Sequence, residues 1–181
     1  MTVVPVLATA RLHFRPWCRE DLDALHQLWT DPDVRRYLLD NQVISREQSG
    51  EFIDAAAASW TRTGLGMCSI AAQGSHEIIG FAGLHWLRED SREAELKYGF
   101  APAQWGQGLA TEASVAVLRD GFDRVQLDHI WASTDPPNTA SIRVMERLGM
   151  TREECPFAVP GLVSYLMTEA SYRAQHDTQV R

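Results

Sequence analysis

The stretch Trp105-Gly106-Gln107-Gly108-Leu109-Ala110 has the residue types and spacing of a binding turn. A glycine-containing turn that leads from a strand into a helix leaves the first N–H groups of the helix without intrahelical partners. With the helix dipole behind them, those groups face an incoming anion, and phosphate is the natural occupant. Two well-known phosphate spellings can be compared with it. The Walker A pattern fails, because no glycine is followed by Lys and then Ser or Thr. The dinucleotide fingerprint Gly-x-Gly-x-x-Gly/Ala is nearly met from Gly106 and Gly108, but Thr111 stands at its third small position and the turn lies past the middle of the chain. A nucleotide-binding oxidoreductase is therefore one alternative, and a turn that only connects two elements is another.

Four further positions carry chemistry. Asn138 follows Asp135-Pro136-Pro137, which suits a helix N-cap, and Ser141 lies one helical turn beyond it on the same face. Glu95 sits in an alternating, strand-like run opposite in facing to Leu96, either as a solvated carboxylate or as a proton acceptor. His85, beside Trp86, suits a hydrogen-bonded structural histidine or a pocket wall. No metal is expected, since the six histidines have no ligand-like spacing with one another or with Cys18, Cys68 and Cys155. The cysteines are odd in number and form no Cys-x-x-Cys pair, which points to a reduced, cytoplasmic location.

Composition narrows the function classes. With 181 residues, 45% hydrophobic and 23% charged, the chain is expected to fold as one domain spanning 1–181. Its 17 basic and 24 acidic residues give a net charge of −7, so nucleic acid is not an expected partner, and the field favours cationic ligands such as amines. Only Lys97 among the basic residues is lysine. Met1–Ala10 has no basic start and is broken by Pro5, and no apolar run is long enough to cross a bilayer, so neither export nor a membrane span is expected.

Periodicity supplies the elements that must hold these residues. Arg11–Trp17 alternates as a strand, Glu20–Thr30 carries leucines at helical spacing, and Asp31-Pro32-Asp33 stops it before a short helical piece over Val34–Leu39. Ser45 and Gln48 form a capping box for a helix through Trp60 that Gly64 and Gly66 end. Met67–Ala72, Glu77–Leu87 and Glu93–Ala101 read as an antiparallel meander. A helix follows the glycine turn, with Ala110, Ala113, Val117 and Phe122 on its apolar stripe. His129–Thr134 is a strand, Asn138–Leu148 a helix ended by Gly149, and Leu162–Tyr172 a last strand.

Taken together, Thr9-Ala10-Arg11-Leu12, Asp31-Pro32-Asp33-Val34-Arg35-Arg36-Tyr37-Leu38, Glu95-Leu96-Lys97-Tyr98, Trp105 through Ala113, Asn138-Thr139-Ala140-Ser141 and Arg147-Leu148-Gly149-Met150 follow one order. In that order and spacing the chain resembles the Gcn5-related N-acetyltransferases (GNAT), and within them the RimJ/RimL branch, over almost its whole length. The resemblance implies an α/β (mixed α+β) fold, a twisted mixed sheet flanked by helices, in which two strands splay apart to hold acetyl-CoA. It places the pyrophosphate on the backbone of Trp105, Gly106, Gln107, Gly108, Leu109 and Ala110, with Gly108 and Ala110 on the family's two small positions. Trp105 stands where an Arg or Gln is usual, a change common in this branch. Tyr98 and Phe100 fall on the strand that pairs with the pantetheine amides, and Pro102, lacking an N–H, marks where that pairing ends.

The implied activity is acetyl transfer from acetyl-CoA to a primary amine, with a peptide or protein N-terminal α-amine as the favoured acceptor. A small-molecule amine and a non-catalytic acyl-CoA sensor are the alternatives, and either a monomer or a homodimer fits. In this resemblance Ser141 protonates or stabilises the departing thiolate. Many relatives carry a tyrosine acid where this chain has Met145. Glu95 matches an acid that relays the amine proton, Asn138 caps its helix or contacts the cofactor, and Lys97 departs from the small residue expected there. The acceptor is expected between Asp31–Leu39 and the loop Pro156–Gly161; Asp31 and Asp33 either help hold a cationic amine or are turn residues, and Arg35 and Arg36 nearby blunt their field.

Overall fold

The computed structural model describes residues 7–88 and 91–177; of the N-terminal stretch read above for a leader, residues 1–6 lie outside the described residues. One seven-stranded sheet runs in the order β1-β2-β3-β4-β5-β7-β6. Its strands are β1 (Leu12–Pro16), β2 (Met67–Ala72), β3 (Ile78–Trp86), β4 (Glu93–Phe100), β5 (His129–Thr134), β6 (Thr151–Arg152) and β7 (Val163–Thr168). The helices are α1 (Leu22–Thr30), α2 (Pro32–Arg35), α3 (Arg46–Thr63), α4 (Leu109–Asp120), α5 (Thr139–Arg147) and α6 (Glu169–Asp177). Every neighbouring pair is antiparallel except β4 and β5.

Local chemistry explains most boundaries. The Ser45 side chain accepts from the Gln48 N–H while the Gln48 side chain reaches back to the Ser45 N–H, so α3 opens on a reciprocal cap. It closes at Gly64, whose φ of 70° is a left-handed conformation that costs glycine little. Asp31 closes α1 and caps α2, accepting from the N–H groups of Asp33 and Val34. The helical piece expected over Val34–Leu39 therefore starts earlier, at Pro32, because the aspartate cap and the proline at the first turn nucleate it there.

The C-terminal expectation needs correcting. The strand read over Leu162–Tyr172 ends at Thr168, and Glu169 begins a helix. The Thr168 hydroxyl accepts from the Ser171 N–H (3.1 Å) while the Ser171 hydroxyl accepts from the Thr168 N–H (3.0 Å), so two side chains satisfy the amides that a continuing strand would have paired. Tyr172 then stacks on Phe122 from a helical position.

Side chains alternate across the sheet into two cores. Phe81 joins Trp17, Leu25, Trp29, Ile53 and Met67 under α1 and α3, while its neighbour Ala82 joins Leu96, Val117, Ile130 and Met145 under α4 and α5. Leu25, Ile53, Ile130 and Met145 are fully buried, and each such side chain contributes about 1.5–3 kcal/mol of transfer free energy. No helix among the described residues is long and apolar enough to cross a membrane.

Candidate active site

The one parallel pair in the sheet is short. β4 and β5 are in register only from Glu93↔His129 to Glu95↔Trp131, and beyond that they part, although β4 stays paired with β3 as far as Phe100 and β5 with β7 as far as Thr134. From Leu96 onward one edge of β4 is left without a strand partner, and a hydrogen-bonding edge of that kind takes an extended ligand readily. A cavity of about 470 Å³ opens beside the gap. Its wall includes Tyr98, Phe100, Gly108, Asn138 and Ser141.

The glycine turn closes one end. Gly106 and Gly108 both have φ of +76°, where a Cβ is strained, and Gly108 is the N-cap of α4 with no side chain occupying the cap. A Cβ at Gly106 would meet nothing within 4 Å, so the cradle is open on its outer side. Three contacts hold it in shape. The Trp105 indole donates to the Phe100 carbonyl (2.7 Å), the Gln107 amide donates to the Ala103 carbonyl (3.0 Å), and Arg11 donates to the Gln107 carbonyl (3.0 Å). Trp105 thus acts as a latch between β4 and the turn. Gln107, expected at the cofactor, turns its side chain back on the preceding loop and does not line the cavity.

Arg11 is itself tied down. Its Nε lies 2.6 Å from Glu112 Oε2, and the Thr9 hydroxyl donates to Oε1 of the same carboxylate at 2.5 Å. Burial pushes the Glu112 carboxyl up, but the Thr9 and Arg11 hydrogen bonds outweigh it and hold the group below the ordinary carboxylate range. This clamp joins the start of β1 to the first turn of α4. It gives the Thr9-Ala10-Arg11 and Thr111-Glu112 pieces of the sequence pattern a physical reason that spacing alone does not supply.

At the other side of the cavity, α5 begins as expected. The Asn138 side-chain oxygen accepts from the Ser141 N–H (3.2 Å), and its amide donates to the Thr134 hydroxyl (2.9 Å). The capping reading of Asn138 therefore holds, and the residue also borders the cavity. Ser141 lies beside the Tyr98 phenol, whose oxygen is 2.8 Å from the serine hydroxyl. The sequence placed Tyr98 on the cofactor strand but gave no sign of this contact between residues 43 positions apart. It also missed Arg143 and Arg147, which stand one turn apart on α5 and add positive charge to the cavity wall. Their spacing of four on one face was the available signal.

Glu95 is placed differently. It lies on the opposite face of β4 from Tyr98, does not line the cavity, and pairs with Lys97, whose Nζ is 2.8 Å from its Oε2. His85 is its register partner on β3 and is exposed, away from the cavity wall. Of the two expected acceptor segments, the first contributes Asp33, Val34, Arg36, Tyr37 and Leu38 to the cavity, whereas Pro156–Gly161 contributes none. The acidic pair has partners within this segment. Asp31 caps α2 and Asp33 pairs with Arg36 at 3.1 Å.

The short parallel pair and the uncapped glycine turn thus leave a free strand edge and a helix N-terminus beside one cavity. Residues 11–151 match the acetyltransferase (GNAT) domain family. The uncharacterized N-acetyltransferase p20 of Bacillus licheniformis is 30% identical over 147 residues, 81% of this chain and 83% of that protein. Spermidine N(1)-acetyltransferase of Escherichia coli K12 is 26% identical over 140 residues, 77% of this chain and 72% of that protein. Among solved structures, RimL, a ribosomal L7/L12 α-N-protein acetyltransferase in complex with coenzyme A, superposes with a TM-score of 0.77 over 93% of this chain and 98% of its own at 21% identity, a likeness of fold. The chain belongs to the GNAT family of N-acetyltransferases.

Proposed function

We propose that the protein transfers the acetyl group of acetyl-CoA to a primary amine, and that the acceptor is the N-terminal α-amine of a peptide or protein. One observation carries the donor half: the unpaired edge of β4, the uncapped start of α4 and the Tyr98–Ser141 contact all border the same cavity. Acetyl-CoA, when bound, supplies an acetyl group already activated as a thioester.

The residues then divide the work. Backbone N–H groups from Trp105 to Ala110 hold the pyrophosphate, and Arg143 and Arg147 add counter-charge from α5. The free edge of β4 around Tyr98 aligns the pantetheine chain as an added strand. Ser141 donates a hydrogen bond to the sulfur as it leaves with the bonding electrons, at the positive end of α5. Glu95, on the face of β4 opposite Tyr98 and outside the cavity wall, takes the proton that the amine nitrogen loses by way of bridging water.

The acceptor reading rests on charge. Asp33 and Arg36 line the cavity as an ion pair and Glu95 is matched by Lys97, so none of these carboxylates is left unpaired to draw in a polycation. A single α-amine has an ordinary pKa near about 8, which leaves a usable neutral fraction at neutral pH, unlike a lysine ε-amine. The spermidine-acetylating relative favours one second reading, acetylation of a small polyamine.

The test has two arms. Calorimetric titration should show binding of acetyl-CoA and none of NAD. Acetylation of an N-terminally free peptide should then exceed that of its N-blocked, lysine-containing twin and of spermidine. Preference for spermidine selects the second reading, and preference for the blocked twin overturns both.

A further inference from the structure

Tyr98 and Ser141 arrive at the cavity from different layers. Tyr98 stands on β4 past the point where β5 diverges, so the space beside its ring holds no neighbouring strand, and the phenol crosses to the first turn of α5. There its oxygen lies 2.8 Å from Ser141 Oγ and 3.2 Å from the Ser141 carbonyl oxygen. Both side chains border the cavity.

A phenol has one proton to give, and a serine hydroxyl has one proton and two lone pairs. The carbonyl can only accept and lies farther off, so the phenol proton goes to the nearer Oγ, and the serine keeps its own proton for a group in the cavity that it borders. The Ser141 N–H is already committed to Asn138 and cannot take that role. We propose that Tyr98 is a positioning residue for acetyl transfer: its hydroxyl donates to Ser141 Oγ and so turns the serine proton toward the sulfur of the bound thioester. The inference rests on the reading of Ser141 as the donor to that sulfur.

Burial pushes the Tyr98 hydroxyl up to about 12, against a smaller opposing pull from Ser141. The group is therefore protonated throughout the physiological range, and it serves as a donor rather than a base. Hydrogen bonds in series polarise one another, so the phenol strengthens the serine as well as aiming it.

The experiment uses coenzyme A as the probe and needs no knowledge of the acceptor. The thiol of bound coenzyme A is titrated by the ultraviolet absorbance of its thiolate in the wild-type protein, Tyr98→Phe, Ser141→Ala and the double variant, with binding measured by calorimetry. Tyr98→Phe keeps the ring, and thermal melting confirms folding. The bound thiol should titrate about half to one pH unit higher in Tyr98→Phe, the size of one net hydrogen bond, with coenzyme A affinity within about two-fold. Ser141→Ala should raise it at least as far, and the double variant no further than Ser141→Ala, since both changes remove one chain of bonds. A shift in Ser141→Ala with none in Tyr98→Phe overturns the role of Tyr98 and leaves Ser141 as the donor. No shift in either variant, or no binding of coenzyme A by the wild type, overturns the reading of Ser141 and the inference with it. If Tyr98→Phe does not fold, Tyr98→Met takes its place under the same criterion, and a wild-type titration there overturns the proposal.

Discussion

The two halves of the site are built by different means. On the donor side, the glycine turn, the start of α4 and the start of α5 are fixed by hydrogen bonds from four elements, through Arg11, Glu112, Trp105, Asn138 and Tyr98. On the acceptor side, the cavity wall comes from the four-residue helix α2 and the turn after it, where Leu39, Asp40 and Asn41 all have positive φ. Three successive non-glycine residues in that region cost backbone energy, offset by local bonds such as Arg35 to the Asn41 carbonyl (2.7 Å) and by the packing of Leu38 and Leu39 on the core under α1 and α3. A donor common to a whole family calls for a rigid frame, and a variable acceptor is served by a segment with few long-range constraints.

Four changes break or sharpen this contrast. The largest effect is expected for Ser141→Ala, with kcat lower by about 10- to 1000-fold, the range of one proton-transfer group, and acetyl-CoA affinity nearly constant; steady-state kinetics with calorimetry read both. Next, Gly108→Val forces a β-branched residue into φ of +76°, and acetyl-CoA binding should weaken by about 10- to 100-fold, as titration of the folded variant would show. If affinity is unchanged, the turn is not the phosphate cradle.

Third, Glu112→Gln should lower stability by about 1–2 kcal/mol, a value kept small by the half-exposed Arg11, and weaken acetyl-CoA modestly by loosening the clamp. The same carboxylate has a pH signature. Because its folded pKa is depressed, its contribution is present in full above the ordinary carboxylate range and is lost as pH falls through the folded value. Denaturant melts of wild type and variant should therefore converge toward acid. The smallest effect is on the acceptor side: Lys97→Ala should change acetyl-CoA affinity little but improve use of spermidine by about three- to ten-fold, the range of one removed surface charge at close quarters. Loss of donor affinity there would show that the two halves are not separable.

Legibility followed the same division. Caps and turns written in adjacent residues were readable: Ser45 with Gln48, Asn138 with Ser141, and the left-handed glycines at 64, 108 and 149. The glycine turn and the free N–H groups that open α4 were likewise visible because each is local, whereas the parting of β4 and β5 was reached only through the family resemblance. The Tyr98–Ser141 contact and the Thr9–Arg11–Glu112 clamp were not, since they join residues more than 40 and 100 positions apart. α6 was misread as strand because Thr168 and Ser171 cap it without the Glu or Gln that marks a capping box. Of the two readings of Asp31-Pro32-Asp33, the turn chemistry is visible in the structure, with Asp31 as the N-cap of α2 and Asp33 paired with Arg36 beside the cavity.

Lys97 carries the one side-chain amine in the sequence, half exposed and held against Glu95. Amine-selective dyes and crosslinkers, which scatter over most proteins, therefore have a single side-chain address here, two residues past the point where β4 and β5 part company. A fluorophore attached there would sit at the approach to the site and report acceptor arrival optically, while the arginine-based clamps and cavity walls stay chemically untouched.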